Sequence, residues 1–442
     1  MADRALIARE LAAFLLAGAW TKGRLLARTR QYIGNSAPKA LQRLIEHVFA
    51  LVETPYPPAP DELARMLMAS RDFDVAARRM LRADRPLQLA LHSPKFAPCR
   101  SLAGLPVPKL ETPGDLAAWL GLPMELVDWL ADTRRGHAHA ATTQLQHYSY
   151  TFVPKRIGAP RLIEAPKARL KAVQRRILHE ILDHLPPHSS AHGFVRGRSC
   201  ISGAQLHVGE YIVVRLDLRR FFSSIGSARV HGLFRSIGYP WAAARLLTGL
   251  CTTCTPAKTL AALTDWRERQ EYTAPHLPQG APTSPTLANL CAWRLDNRLT
   301  GLGRRLGINY SRYADDLCFS GGRAFAKHMP RFLSLVGTIV GEEGFALNGR
   351  KTSLLRANAA QRVTGIVVNQ HVNVAREQYD ALKSILHNCR VSSDPTTQNR
   401  DSHPDFKAHL DGRIGWVEQV NPHRGRKLRL MFDQIKWASA RA

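Results

Sequence analysis

The chain has 442 residues, of which 45% are hydrophobic, so it can bury a large core and form roughly two to four structural units. Its charge is strongly unbalanced, because 62 Lys and Arg against 35 Asp and Glu give a net charge of +27. Such an excess favours a polyanionic partner, first a nucleic acid and second an anionic membrane surface. No run of 18 or more apolar residues is present, which excludes a membrane-spanning helix.

The N-terminal stretch mimics a secretion signal, with an apolar run at Leu11–Leu16 followed by small residues at Ala17–Ala19. Charges of both signs precede this run, however, and its apolar positions continue at helical spacing. We therefore expect an amphipathic helix that packs on its own domain. The seven cysteines are scattered and odd in number, which suits a reducing cytoplasm.

One cysteine pair, Cys251 and Cys254, has the CxxC spacing of a zinc site. A structural zinc site needs a second pair at suitable spacing, and none follows. We interpret both as small apolar residues near a helix end, with zinc binding as the alternative.

Residues 1–111 are predicted to be mainly helical, with basic faces. A further helix should start at Thr112, with the threonine as its cap and proline next. From His147 the pattern changes to a strand pair, 148–153 and 161–164, joined by a turn. The tip of this strand pair carries Lys155, Arg156 and Arg161, which could bind a phosphate chain. A helix from about 166 to 185 should follow.

The central part of the chain combines buried-type strands with a turn-rich loop. A strand at 211–217 ends on Asp217, which places a carboxylate on a rigid element. The loop 277–285 opens a predicted helix from Thr286 to Leu302, whose N-terminus could hold a phosphate or a base. Later elements are a helix from Phe325 to Gly344, a strand at 362–369 and helices from Arg376 onward.

The sequence Tyr313-Ala-Asp-Asp316 places two adjacent carboxylates inside an aromatic, strand-forming run. Aspartates have low strand propensity and cannot be buried cheaply, so we expect a tight hairpin that presents them at its tip. Paired aspartates also mark ordinary turns. Together with Asp217, however, they supply the three carboxylates that a two-metal phosphoryl-transfer site requires, and Mg²⁺ prefers such ligands.

In these segments the chain resembles the reverse transcriptases, and most closely those of the bacterial retron type. The resemblance extends from about Thr112 to about Lys436. Tyr313–Asp316 resembles the catalytic box of the family, and Asp217 resembles its first catalytic aspartate. Leu277–Pro285 resembles the family's loop that positions nucleotide and template. Val363, Thr364 and Gly365 resemble a retron signature. A second signature, Asn-Ala-x-x-His, keeps Ala204 and His207 but has Gly203 in place of the asparagine.

The resemblance implies an α+β fold of the right-hand polymerase type with a helical N-terminal extension. The expected parts are the extension at 1–111, fingers at 112–210, a palm at 211–375 and a thumb at 376–442 that binds RNA and duplex. Whether the extension contacts RNA or a partner protein, or only packs, is left open.

The resemblance also assigns roles to single residues. Asp217, Asp315 and Asp316 would bind two Mg²⁺ ions, with the Leu218 carbonyl as an added ligand. Deoxynucleoside triphosphates are the implied substrates.

Five further residues are expected around the nucleotide. Lys155 and Arg161 would hold the triphosphate, Gln279 would line the nucleotide pocket, and Lys351 could protonate the leaving pyrophosphate. Phe222 would exclude a ribose 2′-hydroxyl, the alternative being an ordinary core aromatic.

A reverse transcriptase of this type would use a cognate non-coding RNA as template and primer. Synthesis from a 2′-hydroxyl would give a branched RNA–DNA product, in defence against phage together with an effector protein. The alternatives are another bacterial defence reverse transcriptase, an intron-encoded relative, a template-independent polymerase, and a silent RNA-binding scaffold with the same fold. The intron reading is disfavoured because no endonuclease signature or maturase-like extension follows the thumb.

Overall fold

The computed structural model describes residues 2–16, 21–34, 37–52, 58, 60–82, 95–133, 136, 142–154, 160–263 and 265–437. Helices and antiparallel sheets occur in it together, which confirms the predicted α+β class. The predicted basic residues Lys155 and Arg156 and the small residues Ala17–Ala19 lie outside the described residues.

The chain divides into two compact units. One contains Met1–Pro186 and Phe222–Cys291, and the other contains Pro187–Phe221 and Ala292–Ala442. The four-part division into extension, fingers, palm and thumb stays a prediction.

The first unit begins with five helices whose apolar faces share one core. Ile7, Leu11 and Leu15 are completely buried in it, and Trp241 packs against it. The apolar run Leu11–Leu16 thus belongs to a helix that packs into the core of its own unit, as predicted. The five helices are α1 (Ala2–Leu16), α2 (Lys22–Ile33), α3 (Pro38–Leu51), α4 (Pro60–Ala69) and α5 (Arg71–Arg82).

The remainder of the first unit surrounds a two-stranded antiparallel sheet. In this hairpin Tyr148 pairs with Pro166 and Val153 pairs with Arg161, as predicted. The elements are α6 (Pro113–Leu120), α7 (Met124–Ala131), β1 (Tyr148–Val153), β2 (Arg161–Pro166), α8 (Ala168–Glu180), α10 (Ser227–Ile237), α11 (Trp241–Cys251), α12 (Ala257–Leu260), α13 (Trp266–Thr273) and α14 (Ser284–Cys291).

Helix α6 starts at the predicted cap. The Thr112 hydroxyl accepts a hydrogen bond from the Asp115 amide at 3.1 Å, and the Asp115 carboxylate accepts one from the Thr112 amide at 2.9 Å. This reciprocal pair is a capping box, and Pro113 occupies the first helical turn.

The second unit contains a four-stranded antiparallel sheet with the order β4-β5-β3-β6. Strand β3 is central and almost wholly buried, because its run of Ile, Val and Leu is covered on both faces. The elements around this sheet are α9 (Cys200–Gln205), β3 (Ile212–Asp217), α15 (Trp293–Leu306), β4 (Asn309–Tyr313), β5 (Asp316–Gly321), α16 (Arg323–Lys327), α17 (Met329–Glu342) and β6 (Ser353–Arg356).

A short hairpin and three helices complete the second unit. They share a core that includes Leu386, Leu410, Ile414 and Leu428. The elements are β7 (Arg362–Val363), β8 (Ile366–Val367), α18 (Arg376–Val391), α19 (Phe406–Val420) and α20 (Pro422–Asp433).

Three predicted elements differ from the structure. The single strand at 362–369 is a hairpin, because Thr364 and Gly365 adopt left-handed φ angles of 48° and 87° and turn the chain. The helix from Phe325 to Gly344 is two helices, since Pro330 suits the first turn of α17 and not a helix interior.

The predicted helix Thr286–Leu302 is likewise two helices, α14 and α15, separated at Ala292. Helix α14 packs against α10 in the first unit, whereas α15 packs against β4 and α17 in the second. No glycine or proline marks this break, so composition alone could not predict it.

Within the described part of the chain, no helix has the length and apolar character needed to cross a membrane.

Candidate active site

The second unit brings the three predicted carboxylates to one end of its sheet. Asp217 ends β3 and pairs directly with Asp316, the first residue of β5. Because opposite residues of an antiparallel pair project to the same face, these two side chains share a face. Asp315 lies in the preceding turn, where its carbonyl accepts a hydrogen bond of 2.8 Å from the Leu218 amide.

Asp217 is 5% exposed, and both of its carboxylate oxygens have partners. Lys351 Nζ donates to Oδ1 at 2.6 Å, and Asn348 Nδ2 donates to Oδ2 at 3.1 Å. The Asn348 amide also donates to the Asp217 carbonyl at 2.8 Å. Asn348 was missed by the sequence analysis, since its only signal is that it lies three residues before Lys351.

Asp316 stands in a mixed electrostatic environment. Burial raises the pKa of its carboxyl above the usual range, and the charges of Asp315 and Asp217 raise it further. Arg215, whose Nη2 lies 3.9 Å from Oδ1, and Lys351 act in the opposite direction. The hydrogen bond from Lys351 to Asp217 raises the pKa of the lysine, which therefore stays protonated.

The donor set suits a hard divalent cation. Three carboxylates on one sheet end supply the acceptor-only oxygens that Mg²⁺ prefers. Among the described residues no group of three or more His, Cys, Asp or Glu side chains is already arranged as a metal site. Here the negative charge of Asp217 is compensated by Lys351 and that of Asp316 by Arg215. Leu218, the predicted carbonyl ligand, is buried and extends β3 through a bridge to Leu347.

Three predicted nucleotide-binding residues lie in the first unit. Arg161 is the exposed first residue of β2, and Gln279 lies in a loop that rests on the same strand. The Glu164 amide donates to the Gln279 carbonyl at 2.9 Å. Gly280 has a φ of 142°, and a Cβ there would lie 2.8 Å from the Glu164 carbonyl, so this approach requires glycine. Phe222 is half-buried in the same unit.

A buried polar group that the sequence analysis missed supports this loop. Glu164 is completely buried and accepts hydrogen bonds from Thr255 Oγ1 at 2.6 Å and from His276 Nε2 at 2.9 Å. Although burial acts to lower it, the pKa of His276 is raised, chiefly by the charge of Glu164 and the hydrogen bond to it. His276 immediately precedes the loop, so the pair ties the loop to β2.

The two signature segments pack against each other. Ala204, on α9, and Val363, on β7, are buried in the same core, and the Thr364 hydroxyl donates to the Cys200 carbonyl at 3.4 Å. Thr364 and Gly365 form the turn of the β7–β8 hairpin. Gly203, Val363 and Thr364 also line a crevice with Asp316.

His207, the last signature residue, is completely buried. Its Nδ1 and Nε2 lie 2.8 Å from Ser320 Oγ and 2.7 Å from Ser311 Oγ, so one imidazole links β5 to β4. Burial lowers the pKa of His207 to about 4, and the nearby His192 contributes. The side chain is therefore neutral at physiological pH.

Cys251 and Cys254 are both buried. Burial raises the pKa of the Cys251 thiol to about 12, which keeps it protonated and apolar in character. This environment is consistent with the interpretation as small apolar residues.

Comparison with known proteins identifies the class. The sequence model of the family described as reverse transcriptase (RNA-dependent DNA polymerase) matches residues 153–382, just over half of the chain. The protein is therefore an RNA-directed DNA polymerase, and its fold is the right-hand polymerase fold.

Similarity to individual proteins identifies the type of reverse transcriptase. Retron Mx65 reverse transcriptase from Myxococcus xanthus is 40% identical over 74% of this chain and 71% of its own length. Retron Mx162 reverse transcriptase from the same organism is 34% identical over 76% of this chain and 69% of its own length. Retron Ec86 reverse transcriptase from Escherichia coli is 33% identical over 62% of this chain and 77% of its own length. The chain belongs to the retron-type reverse transcriptases.

Proposed function

We propose that the protein copies a cognate structured non-coding RNA into DNA and uses the same RNA as template and primer. Synthesis starts from a 2′-hydroxyl of that RNA and gives a branched RNA–DNA product. The observation that carries the catalytic part is the pairing of Asp217 with Asp316, beside Asp315 in the adjoining turn. The similar proteins are named as retron reverse transcriptases, which supports the proposal that one RNA serves as template and primer.

Asp217, Asp315 and Asp316 are the proposed ligands of two Mg²⁺ ions, with the Leu218 carbonyl as a further oxygen. When bound, such ions activate a 3′-hydroxyl for attack and neutralise the charge that develops on pyrophosphate. The chain's own contribution is to hold three carboxylates on one rigid sheet end and to keep Lys351 charged beside them.

The remaining predicted residues are assigned to the deoxynucleotide substrate. Arg161 and Lys155 grip the triphosphate, Gln279 contacts the nucleotide, and Phe222 rejects a ribose 2′-hydroxyl. Lys351 donates a proton to the leaving pyrophosphate, for which its protonated state and its position against Asp217 are suited.

We also propose that the fingers, palm and thumb have the boundaries predicted above. The thumb, 376–442, grips duplex and reads the structured RNA through its phosphates and 2′-hydroxyls. We further propose that the protein works in the cytoplasm, together with an effector protein, in defence against phage.

The test is to purify the protein from a host that carries its native locus and to sequence the nucleic acid that copurifies. Separate DNase and RNase treatments before sequencing identify each strand. We expect a short single-stranded DNA joined to an RNA, absent when Asp315 and Asp316 are both replaced by Asn. Bound RNA without DNA, unchanged in that variant, would overturn the proposal and favour an RNA-binding scaffold.

A second experiment separates templated from template-independent synthesis. Purified protein is supplied with labelled deoxynucleotides before and after RNase treatment of its bound nucleic acid. We expect the labelled product to disappear after RNase, because the RNA provides both template and primer. Product that survives would point to template-independent polymerisation.

A further inference from the structure

Strand β4, which leads into the two aspartates, carries a charged side chain that the fold buries completely. Arg312 and Asp296 of α15 are each 0% exposed. Arg312 Nε donates to Asp296 Oδ1 at 2.8 Å and Nη2 donates to Oδ2 at 2.6 Å, a bidentate pair. The Tyr310 hydroxyl donates to the same Oδ1 at 2.8 Å. A buried ion pair contributes little net stability compared with apolar side chains of similar size, so its role is to be sought elsewhere.

The third guanidinium nitrogen reaches the turn that carries the carboxylates. Arg312 Nη1 donates to the Ala314 carbonyl at 3.1 Å. Ala314 has a φ of 55°, a left-handed conformation that is unfavourable for a residue with a side chain. A hydrogen bond to this carbonyl fixes the peptide that joins Ala314 to Asp315. The guanidinium therefore holds the backbone from which Asp315 and Asp316 project.

The same turn is confined by the segment that precedes α9. The Arg312 amide donates to the Ser190 carbonyl at 2.7 Å, and the His192 amide donates to the Arg312 carbonyl at 2.8 Å. Gly193 follows, and a Cβ added to it would lie 2.6 Å from the Ala314 nitrogen. Packing thus confines the turn at the Ala314 nitrogen, and the guanidinium holds it at the Ala314 carbonyl.

We propose that Asp296 and Arg312 are positioning residues for the reaction, which set the conformation of the Ala314–Asp315 turn and thereby the placement of both aspartates. This inference rests on the proposed role of Asp315 and Asp316 as metal ligands. Loss of the contact should lower kcat and weaken metal binding, while the KM for the deoxynucleotide changes little. A purely structural role would instead change stability alone.

The first variant is Arg312→Lys, which keeps the charge but cannot bond Asp296 in a bidentate manner and reach Ala314 at once. We expect kcat to fall at least about tenfold and the Mg²⁺ requirement to rise. Metal binding is read independently by substituting Fe²⁺ and measuring hydroxyl-radical cleavage of the chain near Asp315. That cleavage should fall by a similar factor. Wild-type kcat and cleavage in the folded variant would overturn the inference.

A second variant separates positioning from stability. Replacing Asp296 by Leu, Arg312 by Met and Tyr310 by Phe exchanges the whole polar cluster for apolar side chains and orphans none of its members. We expect a folded protein with near-normal unfolding temperature and strongly reduced kcat, because the Ala314 contact is absent. Near-normal kcat would contradict a positioning role.

Two controls complete the experiment. Leu44→Ala creates a cavity in the core of the five N-terminal helices and lowers stability without touching the turn. If Leu44→Ala lowers kcat as much as Arg312→Lys, the effect is one of stability and the inference fails. Asp315→Asn tests the underlying assignment, because retained synthesis in that variant would refute the metal-ligand role itself.

Discussion

At the scale of single residues, the environment of each predicted side chain decides what it can do. Asp217 is nearly inaccessible, and its carboxylate is oriented by an ion pair with Lys351 and a hydrogen bond from Asn348. Lys351 itself is 61% exposed, so its ammonium group donates to Asp217 and is also accessible to an incoming phosphate. The pair thus combines an oriented carboxylate with an accessible ammonium group.

Replacing Lys351 by Met should lower kcat by about a hundredfold or more, because a positioned general acid typically contributes that much. The protein should still fold, because Asn348 continues to donate to the Asp217 carboxylate. Single-turnover primer extension measures the rate. Lys327→Met, at an exposed position of α16, is the matched control and should behave as wild type. A raised KM with unchanged kcat would assign Lys351 to binding alone.

His207 illustrates how a signature residue can act through packing. Its imidazole spans two serines of neighbouring strands and is neutral when folded. In the unfolded chain its pKa returns to about 6.5, so acid protonates the unfolded state first. Its contribution to stability is therefore complete above pH 6.5 and lost as the pH falls toward 4.

We expect the free energy of unfolding to fall on acidification, with His207 contributing up to about 3 kcal/mol of the loss. Denaturant unfolding at several pH values between 7.5 and 4.5 measures it. His231, whose pKa burial also lowers to about 4, adds a similar slope. His207→Gln should remove only the part of this pH dependence that titration of His207 causes. An identical pH dependence in this variant would contradict the assignment.

At the scale of elements, strand β2 of the first unit supports the loop 277–285. Strand β2 carries Arg161 at its start and Glu164 near its centre, and Glu164 holds the loop through His276 and through the Gln279 carbonyl. Arg161, which we propose binds the triphosphate, and Glu164, which supports the loop, thus lie on the same strand. A substitution at Glu164 should therefore weaken nucleotide binding by displacing the loop.

Glu164→Ala should lower the free energy of unfolding by about 3 kcal/mol, because it leaves buried partners unpaired. It should also raise the KM for the deoxynucleotide, since Gln279 loses its support. Glu164→Gln keeps a hydrogen-bonding side chain, so its unfolding free energy and its KM should both lie close to the wild-type values. Thermal unfolding and steady-state kinetics measure the two effects. Glu125→Ala, at an exposed position of α7, should change neither. An unchanged KM in a destabilised Glu164→Ala protein would remove the link to the nucleotide.

At the scale of the whole molecule, the net charge of +27 is the dominant property. It is spread over both compact units, with exposed basic residues on α8 of the first and α20 of the second, such as Arg175 and Lys427. Charge at this density favours a long polyanion over a small anion, because counterion release scales with the number of phosphates contacted.

RNA affinity should fall about a thousandfold or more between roughly 50 and 200 mM monovalent salt, as expected for several phosphate contacts. Filter binding or fluorescence anisotropy at a series of salt concentrations measures the slope. Replacing Arg426 and Lys427 by Gln should make the slope shallower if α20 contacts phosphate. The Asp315→Asn, Asp316→Asn variant should keep the wild-type slope. A salt-independent affinity would exclude an electrostatic mode of binding.

The sequence by itself determined the elements whose cause is local. The β1–β2 and β4–β5 hairpins, the helix cap at Thr112 and the aspartate at the end of β3 depend on residues that are neighbours in the chain. Pattern and turn chemistry are sufficient for such elements, and resemblance to a known family then identified the class of enzyme and the candidate catalytic aspartates.

Only the tertiary structure decided the partners of those aspartates and of the nucleotide loop. Asn348 and Lys351 reach Asp217 from more than 130 positions away, and His276 reaches Glu164 from 112 positions away. Arg312 and Asp296 lie only 16 positions apart, yet their pairing requires α15 to break from α14 and pack on β4. Such contacts depend on where the chain returns in space, and burial then makes each polar group find a partner.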